Sequence, residues 1–377
     1  IMLPGFPEIA QSLNTDTTSV QSVITAYLLG FGISQLFLGF VTDRYGRRPV
    51  LLGGLLVFTI ASVACTFSSS LTMMFLFRGM QGLGAGGIRV IATAAARDCY
   101  QGRTLARVMS LVMTVFMAVP ILAPAIGQGI LLVADWRVIF GVLVLYGAVL
   151  FVISWHVFPE TLDPKNQRPI EPNTIIESLG SIIRSAQTVG YTIAAGVFFG
   201  SLFGFIASAQ QLMADVYGLG VWFPLIFALM ALALSAASFI NSMLVERYGM
   251  RLLSHGAVIL FCLNGLLMMI LQYADLLHLW EFVIFHSINM FLVGLVFANF
   301  NALALEPQGH IAGVASAFIG AVTVIIGAAA GYFIGKEFDG TAMPLIVGFF
   351  FSGVLCTIVL LITENGRLFQ AKHAPEN

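Results

Sequence analysis

Gly39-Phe40-Val41-Thr42-Asp43-Arg44-Tyr45-Gly46-Arg47-Arg48-Pro49 is the stretch that decides how this chain is organised. It stands between two long apolar segments. A weaker copy, Glu246-Arg247-Tyr248-Gly249-Met250-Arg251, stands between two more in the second half. Acid, Arg, Tyr, Gly and a final Arg recur in the same order. A short basic loop repeated at the same place in two similar halves marks an internally duplicated bundle of the kind that membrane transporters use.

Away from these loops the chain is strongly apolar. Hydrophobic residues make up 59% and charged residues 9% of the 377 positions, and the mean hydropathy is +0.95. Ordinary soluble domains carry about 25% charged residues. So little polar surface cannot cover a water-soluble fold of this size, so lipid is the solvent for most side chains. The net charge of −1 implies no general affinity for nucleic acid. Cys65, Cys99, Cys262 and Cys356 have neither metal-ligand spacing nor a pairing pattern and read as free thiols, three in apolar spans and Cys99 in a short loop beside Arg97 and Asp98. No Walker-type loop, Ser/His/Asp set or HExxH motif is visible, so the chain is not expected to be an enzyme or to hold a metal or cofactor.

About 20 apolar residues cross a hydrocarbon core. On that measure the sequence predicts spans at 19–41, 50–68, 72–96, 105–133 and 137–158, then at 190–215, 221–245, 252–273, 278–304, 311–335 and 341–363. Ile1-Met2-Leu3-Pro4 reads as the end of a span ahead of these, which makes twelve, followed by a loop-like stretch with Pro4, Pro7, Asn14 and Asp16. The expected organisation is a transmembrane half over 1–158, a polar cytoplasmic linker over 159–189 and a second transmembrane half with a short tail over 190–377. Pro159, Pro164, Pro169 and Pro172 break helix in the linker, and residues 175–183 are expected to form a short interfacial helix. With the start of the chain placed outside, most of the 17 Lys and Arg, including Arg44, Arg47, Arg48, Arg97, Arg103, Arg247 and Arg251, fall inside, as the positive-inside rule requires.

The residues of the first loop have separable tasks. Gly39 permits close approach of two helices. Asp43, at the end of its span, can accept hydrogen bonds from the N-terminus of a neighbouring helix. Gly46 suits a tight turn, and Arg44, Arg47 and Arg48 can pair with acids or anionic headgroups. Together with Glu246 and Arg247 of the copy they form a candidate conformational latch; the plainer reading is a basic stop-transfer loop.

With acid, glycine and arginines in this order, the loop resembles the G-x-x-x-D-R-x-G-R-R loop between the second and third helices of the major facilitator superfamily. Two more features of that family are present. One is an arginine with nearby glycines in the fourth helix, Arg78-Gly79-Met80-Gln81-Gly82-Leu83-Gly84-Ala85; the other is a Pro/Gly-rich fifth helix, with Pro120, Pro124 and Gly127. Drug–proton antiporters usually carry Gly before the second proline and a Gly-Gly pair after it, where this chain has Ala123 and Gly127-Gln128. Finer matches resemble the Bcr/CflA-type drug efflux branch: Leu3-Pro4 with Pro7, Arg97-Asp98, Asp135-Trp136-Arg137, Pro159-Glu160-Thr161 and the run from Gly309 to Ala317.

The resemblance implies an all-α major facilitator fold of two pseudo-symmetric six-helix halves. It implies a monomer in the bacterial inner (plasma) membrane that couples protons to efflux of small amphipathic compounds, antibiotics among them, by alternating access. Its partners would be a small-molecule substrate, protons and the lipid bilayer. Uptake symport of an organic anion or metabolite is the alternative, favoured by the imperfect fifth-helix motif. A sensor or channel is a further rival, against which the repeated latch speaks.

In this family the first, fourth, seventh and tenth helices line a central cavity, with the second, fifth, eighth and eleventh beside them. A buried arginine in lipid is costly, so Arg78 should face a cavity or a partner, as a proton-coupling or substrate-contact residue or as a structural ion pair. Arg89 follows about three turns later on nearly the same stripe, roughly 16 Å away, either as a second station of a cationic track or as a residue reaching the interface. The repeat spacing places Glu281 opposite Arg78, as a protonatable acid or an interfacial one beside Trp280. The branch's aspartate near the outer end of the first helix would fall ahead of Ile1. Tyr27, Gln35, Gln81, Met113, Phe116, Met117, Phe199, Phe203, His286 and Asn289 are candidate cavity residues, joined by Gln210, Gln211, Phe297, Asn299 and Asn301. Met and Phe offer adaptable apolar contact; any one of these is more often a packing residue than a ligand contact.

Overall fold

The computed structural model describes residues 1–100, 102–163, 165, 167 and 172–370, and every regular element among them is helical. The α-helices are α1 (Phe6–Ser12), α2 (Thr17–Tyr45), α3 (Arg47–Thr66), α4 (Leu71–Cys99), α5 (Gly102–Leu131), α6 (Trp136–Val157), α7 (Pro172–Arg184), α8 (Ala186–Gln211), α9 (Phe223–Tyr248), α10 (Met250–Tyr273), α11 (Leu279–Leu305), α12 (Ala312–Lys336) and α13 (Met343–Thr363). Among the described residues nine of them, α2, α3, α6 and α8 to α13, are long and apolar enough to cross a membrane. Helix α4 has the length, but Arg78, Arg89 and its glycines dilute its apolar content. Large apolar side chains point away from the protein interior: Phe37, Leu145, Phe239 and Phe351 are each at least 60% exposed. The protein is an integral, multi-pass membrane protein.

Several expectations are corrected. The stretch after Pro4 is not a loop: a 3-10 turn, Leu3–Gly5, leads into α1. Pro4 and Pro7 lie in the first turns of these elements, where a missing N–H costs nothing, so they start helix instead of breaking it. Arg97, Asp98 and Cys99 form the last turn of α4 and not a loop. Helix α7 is longer than expected, beginning at Pro172, because a proline is tolerated at the first helical position. Asp16 caps the start of α2: its carboxylate accepts the Ser19 N–H at 2.6 Å and the Ser19 O–H at 2.7 Å. These bonds hold the Asp16 carboxyl below the ordinary carboxylate range.

The chain divides into two compact units, one of residues 1–179 with 313–325 and one of 180–312 with 326–377. Within the first, α4 packs against α2 and α3, and α3 against α6; within the second, α11 packs against α9 and α10, and α10 against α13. The two units thus repeat one packing order. The α2–α4 contact is made by glycines. A Cβ on Gly82 would overlap the carbonyl oxygen of Tyr27, one on Gly86 the carbonyl oxygen of Phe31, and one on Gly30 the carbonyl oxygen of Gly79. Gly39 plays no such part: a Cβ there would meet its nearest neighbour at an ordinary 3.9 Å. Along α2, close approach to α4 falls where α4 carries its Gly-rich run, because there the two backbones touch.

Candidate functional site

Helix α2 ends at Gly46, with φ +94°, and α9 ends at Gly249, with φ +77°. In both places the turn that the repeat predicted reverses the chain into the next helix, at a backbone conformation costly for any side chain. Around Gly46 an ionic cluster assembles. Arg47, buried, pairs through Nη1 with Asp43 and through Nε with Asp98 at 2.9 Å. Thr161 Oγ1 donates to the same Asp98 oxygen at 3.2 Å. Glu160 accepts the backbone N–H of Arg47 at 2.8 Å and that of Arg48 at 3.2 Å. Arg48 donates to the Trp155 carbonyl at 2.6 Å, while Arg44 is exposed. The carboxylate at the helix N-terminus is therefore Glu160 and not Asp43, whose position at the end of α2 turns it toward the Arg47 side chain. A carboxylate there meets unpaired N–H groups and the positive end of the helix dipole.

The second loop builds a related cluster from other residues than its sequence copy suggests. Glu246 and Arg247 are exposed, and Arg247 rests on the Tyr248 ring at 5.3 Å. Arg251 takes the buried place. Its Nε donates to Glu364 at 2.9 Å, and its Nη2 lies 3.6 Å from Glu306. Arg47 and Glu160 are 113 residues apart in the chain, as are Arg251 and Glu364. Tyr191 donates its O–H to Glu364 at 2.7 Å. His255 accepts the Phe369 N–H on Nδ1 at 3.2 Å, so its Nε2–H is the group facing Tyr191 Oη at 2.9 Å.

Gly46→Ala separates the turn from the ionic cluster. Its Cβ would be strained by φ and would overlap the Glu160 carboxylate, whereas Gly249→Ala meets the strain with nothing within 4 Å. The first should lower stability by about 1–3 kcal/mol more than the second, read as thermal midpoints in detergent. Equal losses would show that Glu160 contributes nothing at the α3 N-terminus.

Deeper in the first unit, Arg78 is buried among α2, α3 and α6. It donates to the Gln81 side-chain oxygen, and Gln81 Nε2 donates in turn to Ser62 Oγ at 2.6 Å. Its guanidinium lies 4.5 Å from the Tyr27 ring centre and 6.0 Å from that of Phe140. No carboxylate comes within ion-pair distance of it among the described residues. Arg89 lies 5.9 Å from the Phe31 ring, and Phe31 is stacked on Tyr27 one turn away along α2. Both arginines of α4 thus face the same aromatic stripe.

In the second unit Phe199 contacts Phe203 at 5.6 Å and Phe297 at 4.5 Å. Asn289 accepts from Asn264 at 2.8 Å, and Asn299 donates to Asn241 at 2.7 Å and to the Leu295 carbonyl at 2.8 Å. Asn301 donates to the Phe297 carbonyl at 2.9 Å, and Gln210 and Gln211 are buried. Gln35 donates to the Phe31 carbonyl at 3.3 Å. Glu281 sits half-buried in the first turn of α11 and does not occupy the counterpart of Arg78. The offset of the loops is not the offset of the helices, because α10 has 24 residues where α3 has 20, and the connection that follows it is also slightly longer. In α5, Pro124 and Gly127 are buried, and a Cβ on Gly127 would overlap the Ile1 carbonyl oxygen. Met113, Phe116, Met117 and Pro120 have side chains outside the described residues.

Sequence reasoning missed Glu160, Asp98, Glu306, Glu364, Tyr191 and His255 as members of the clusters. Glu160 and Asp98 stood inside recognised motifs, and Glu364 could have been found from the repeat. Tyr191 and His255 gave no signal.

The chain matches the Major Facilitator Superfamily over residues 1–332. A bicyclomycin resistance protein homolog of Haemophilus influenzae is 30% identical, over 91% of this chain and 86% of its own length. Multidrug resistance protein D of Escherichia coli K12 is 32% identical, over 85% of this chain and 80% of its own. Among solved structures, a D-xylose-proton symporter superimposes with a TM-score of 0.73 at 15% identity, covering 98% of this chain and 94% of its own, which shows the shared fold. The chain belongs to the major facilitator superfamily. It is a membrane transporter and not an enzyme, as the loop motif implied, and its relatives fall in the drug-resistance branch that the finer motifs resembled.

Proposed function

We propose that the protein exports small amphipathic compounds, antibiotics among them, from a bacterial cell in exchange for protons, by alternating access in the inner membrane and as a monomer. The observation that carries this reading is the pair of relatives named for drug resistance that match most of the chain. The buried Arg78 supports it. A cation beside two aromatic rings, held by an amide and not by a carboxylate, keeps an unspent charge for a substrate group or a titrating acid. Tyr27, Gln81 and, in the second unit, Phe199 and Phe203 supply the aromatic and amide contact that a varied lipophilic cargo needs. The ionic cluster of Asp43, Arg47, Asp98 and Glu160 and that of Arg251, Glu306 and Glu364 act as the latches, made in one state and released in another. The two transmembrane halves over 1–158 and 190–377, joined by the 159–189 linker, are the moving parts.

Proteoliposomes loaded with ethidium test the reading. Acidifying the outside should accelerate ethidium export, and Arg78→Gln should slow that export by about 10- to 100-fold, the worth of a charge-assisted contact. Arg78→Lys should recover little of it, since an ammonium cannot spread over the Tyr27 ring as a guanidinium does. Accumulation of an organic acid under the same gradient, with no ethidium export, would instead establish the uptake symporter that the paired arginines Arg78 and Arg89 favour.

A further inference from the structure

We infer that His286 is the proton-exchanging side chain of the second unit, standing in the place that Arg78 fills in the first; this rests on the proton-coupled reading above. Arg78 and Gln81 are the eighth and eleventh residues of α4, and His286 and Asn289 are the eighth and eleventh of α11. Gln81 reaches across to Ser62 on α3, the helix that enters from the first turn. Asn289 bonds to Asn264 on α10, the helix that enters from the second. Arg78 lies beside Phe140 near the start of α6, and His286 stacks at 5.2 Å on Phe349 near the start of α13. One buried polar arrangement is thus built twice, once on a group that is always charged and once on a group that can switch.

The surroundings of His286 are those of a group meant to change state. It is completely buried. The rings of Phe205 and Phe282 stand 3.9 Å and 5.4 Å from it, with Phe349 completing the box. Neither ring nitrogen has a hydrogen-bond partner among the described residues. The neutral imidazole therefore holds one N–H and one lone pair unspent. Helices α8 and α13 contain no Asp, Glu, Lys or Arg; α9 has only Glu246 and Arg247 in its last turn, and α10 only Arg251, with His255 a turn further on. Tyr191 lies at the far end of α8, and the thiols of Cys262 and Cys356 belong to α10 and α13. The titratable groups at its own end include Glu281 in the first turn of α11, His278 just ahead of it, Asp215 in the turn that continues α8, and Tyr217, whose ring contacts Phe282 at 5.3 Å.

Proton uptake takes the lone pair of one ring nitrogen to a proton delivered by water, while the other nitrogen keeps its N–H. The phenyl faces attract the resulting cation, yet the box offers its two N–H groups no acceptor. Protonation therefore favours a conformation in which the ring meets water or substrate, and release of the proton to water restores the closed box. Exchange at His286 is thereby linked to opening of the second unit.

Imidazole 15N spectra of the full chain in lipid nanodiscs, with His286→Gln identifying the signal, provide a test that needs no substrate. The His286 signal should pass from the neutral to the doubly protonated pattern as the sample is taken from about pH 8 down to about pH 4; a signal that stays neutral overturns the inference. In proteoliposomes, wild-type ethidium counterflow should change with pH by about tenfold, and His286→Gln and His286→Phe should each flatten that ratio to under about twofold, whatever the absolute rate. The phenyl variant suits the aromatic box and controls for loss of fold. Wild-type pH dependence retained in both variants overturns the inference and leaves the export reading standing. Failure of the wild type to move ethidium sinks the export reading instead, and the spectra then decide His286 alone.

Discussion

Glu364→Ala should destabilise the second unit by about 3–5 kcal/mol, the usual consequence of leaving a buried charge without its partner. The Glu364 and Arg251 side chains are 3% and 7% exposed. Removing the carboxylate leaves the guanidinium with Glu306 at 3.6 Å among the described residues, and also takes the acceptor from the Tyr191 hydroxyl. Asp43→Ala, at the corresponding turn of the first unit, should cost under about 1 kcal/mol, because Asp43 is 46% exposed and Arg47 keeps Asp98. Replacing the pair together, Arg251→Met with Glu364→Leu, should recover much of the loss, since a desolvated pair is worth little more than an apolar one of similar volume. Recovery should stop short of the wild type because Tyr191 and His255 remain polar and buried. Thermal midpoints in one detergent, followed by size-exclusion recovery, give the comparison. If Glu364→Ala melted with Asp43→Ala, the second cluster would have no structural weight.

Gly82→Ala should be among the most damaging single-methyl changes in the first unit, at about 3 kcal/mol or more. An added Cβ there overlaps the Tyr27 carbonyl oxygen and stands 2.9 Å from the Phe31 N–H. Both are backbone, so no rotamer change can relieve the collision, and α2 and α4 must separate. The displacement would carry Arg78 away from the Tyr27 ring and should lower transport along with stability. Gly53→Ala is the control, with nothing within 4 Å of the added methyl; helix propensity alone should then raise stability by about 1 kcal/mol at most. Folded yield and ethidium flux distinguish the two. A tolerated Gly82→Ala would mean that the α2–α4 contact is looser than the backbone approach indicates.

The repeated loop foretold much of the fold. An acid, a basic cluster and a glycine between apolar segments leave few alternatives to a turn between membrane helices, and both glycines adopt the positive φ that the turn demands. The Arg78–Arg89 stripe was also legible, because helical periodicity alone puts the two on one face. The partners of the loops were less so. Asp43 was the natural acid for a helix N-terminus by position, yet Glu160, more than a hundred residues later, has the better line to the N–H groups of α3. Glu281 was assigned opposite Arg78 by counting from the loops, whereas counting from the helix starts leads to His286.

Composition and the repeated loop, read without coordinates, settled that lipid is the solvent, where most of the membrane-spanning helices run and that the chain is built as two similar halves, while the resemblance of its motifs implied the major facilitator family. These are properties of local sequence: apolar length, turn chemistry and an internal echo. Which acid meets which arginine, which glycine touches backbone, and that an imidazole sits buried among three phenyl rings emerged only from the packed helices. Such contacts join residues far apart in the chain, and their distances depend on helix register to within one residue, about 1.5 Å of rise and 100° of rotation, finer than span boundaries drawn from hydropathy can resolve.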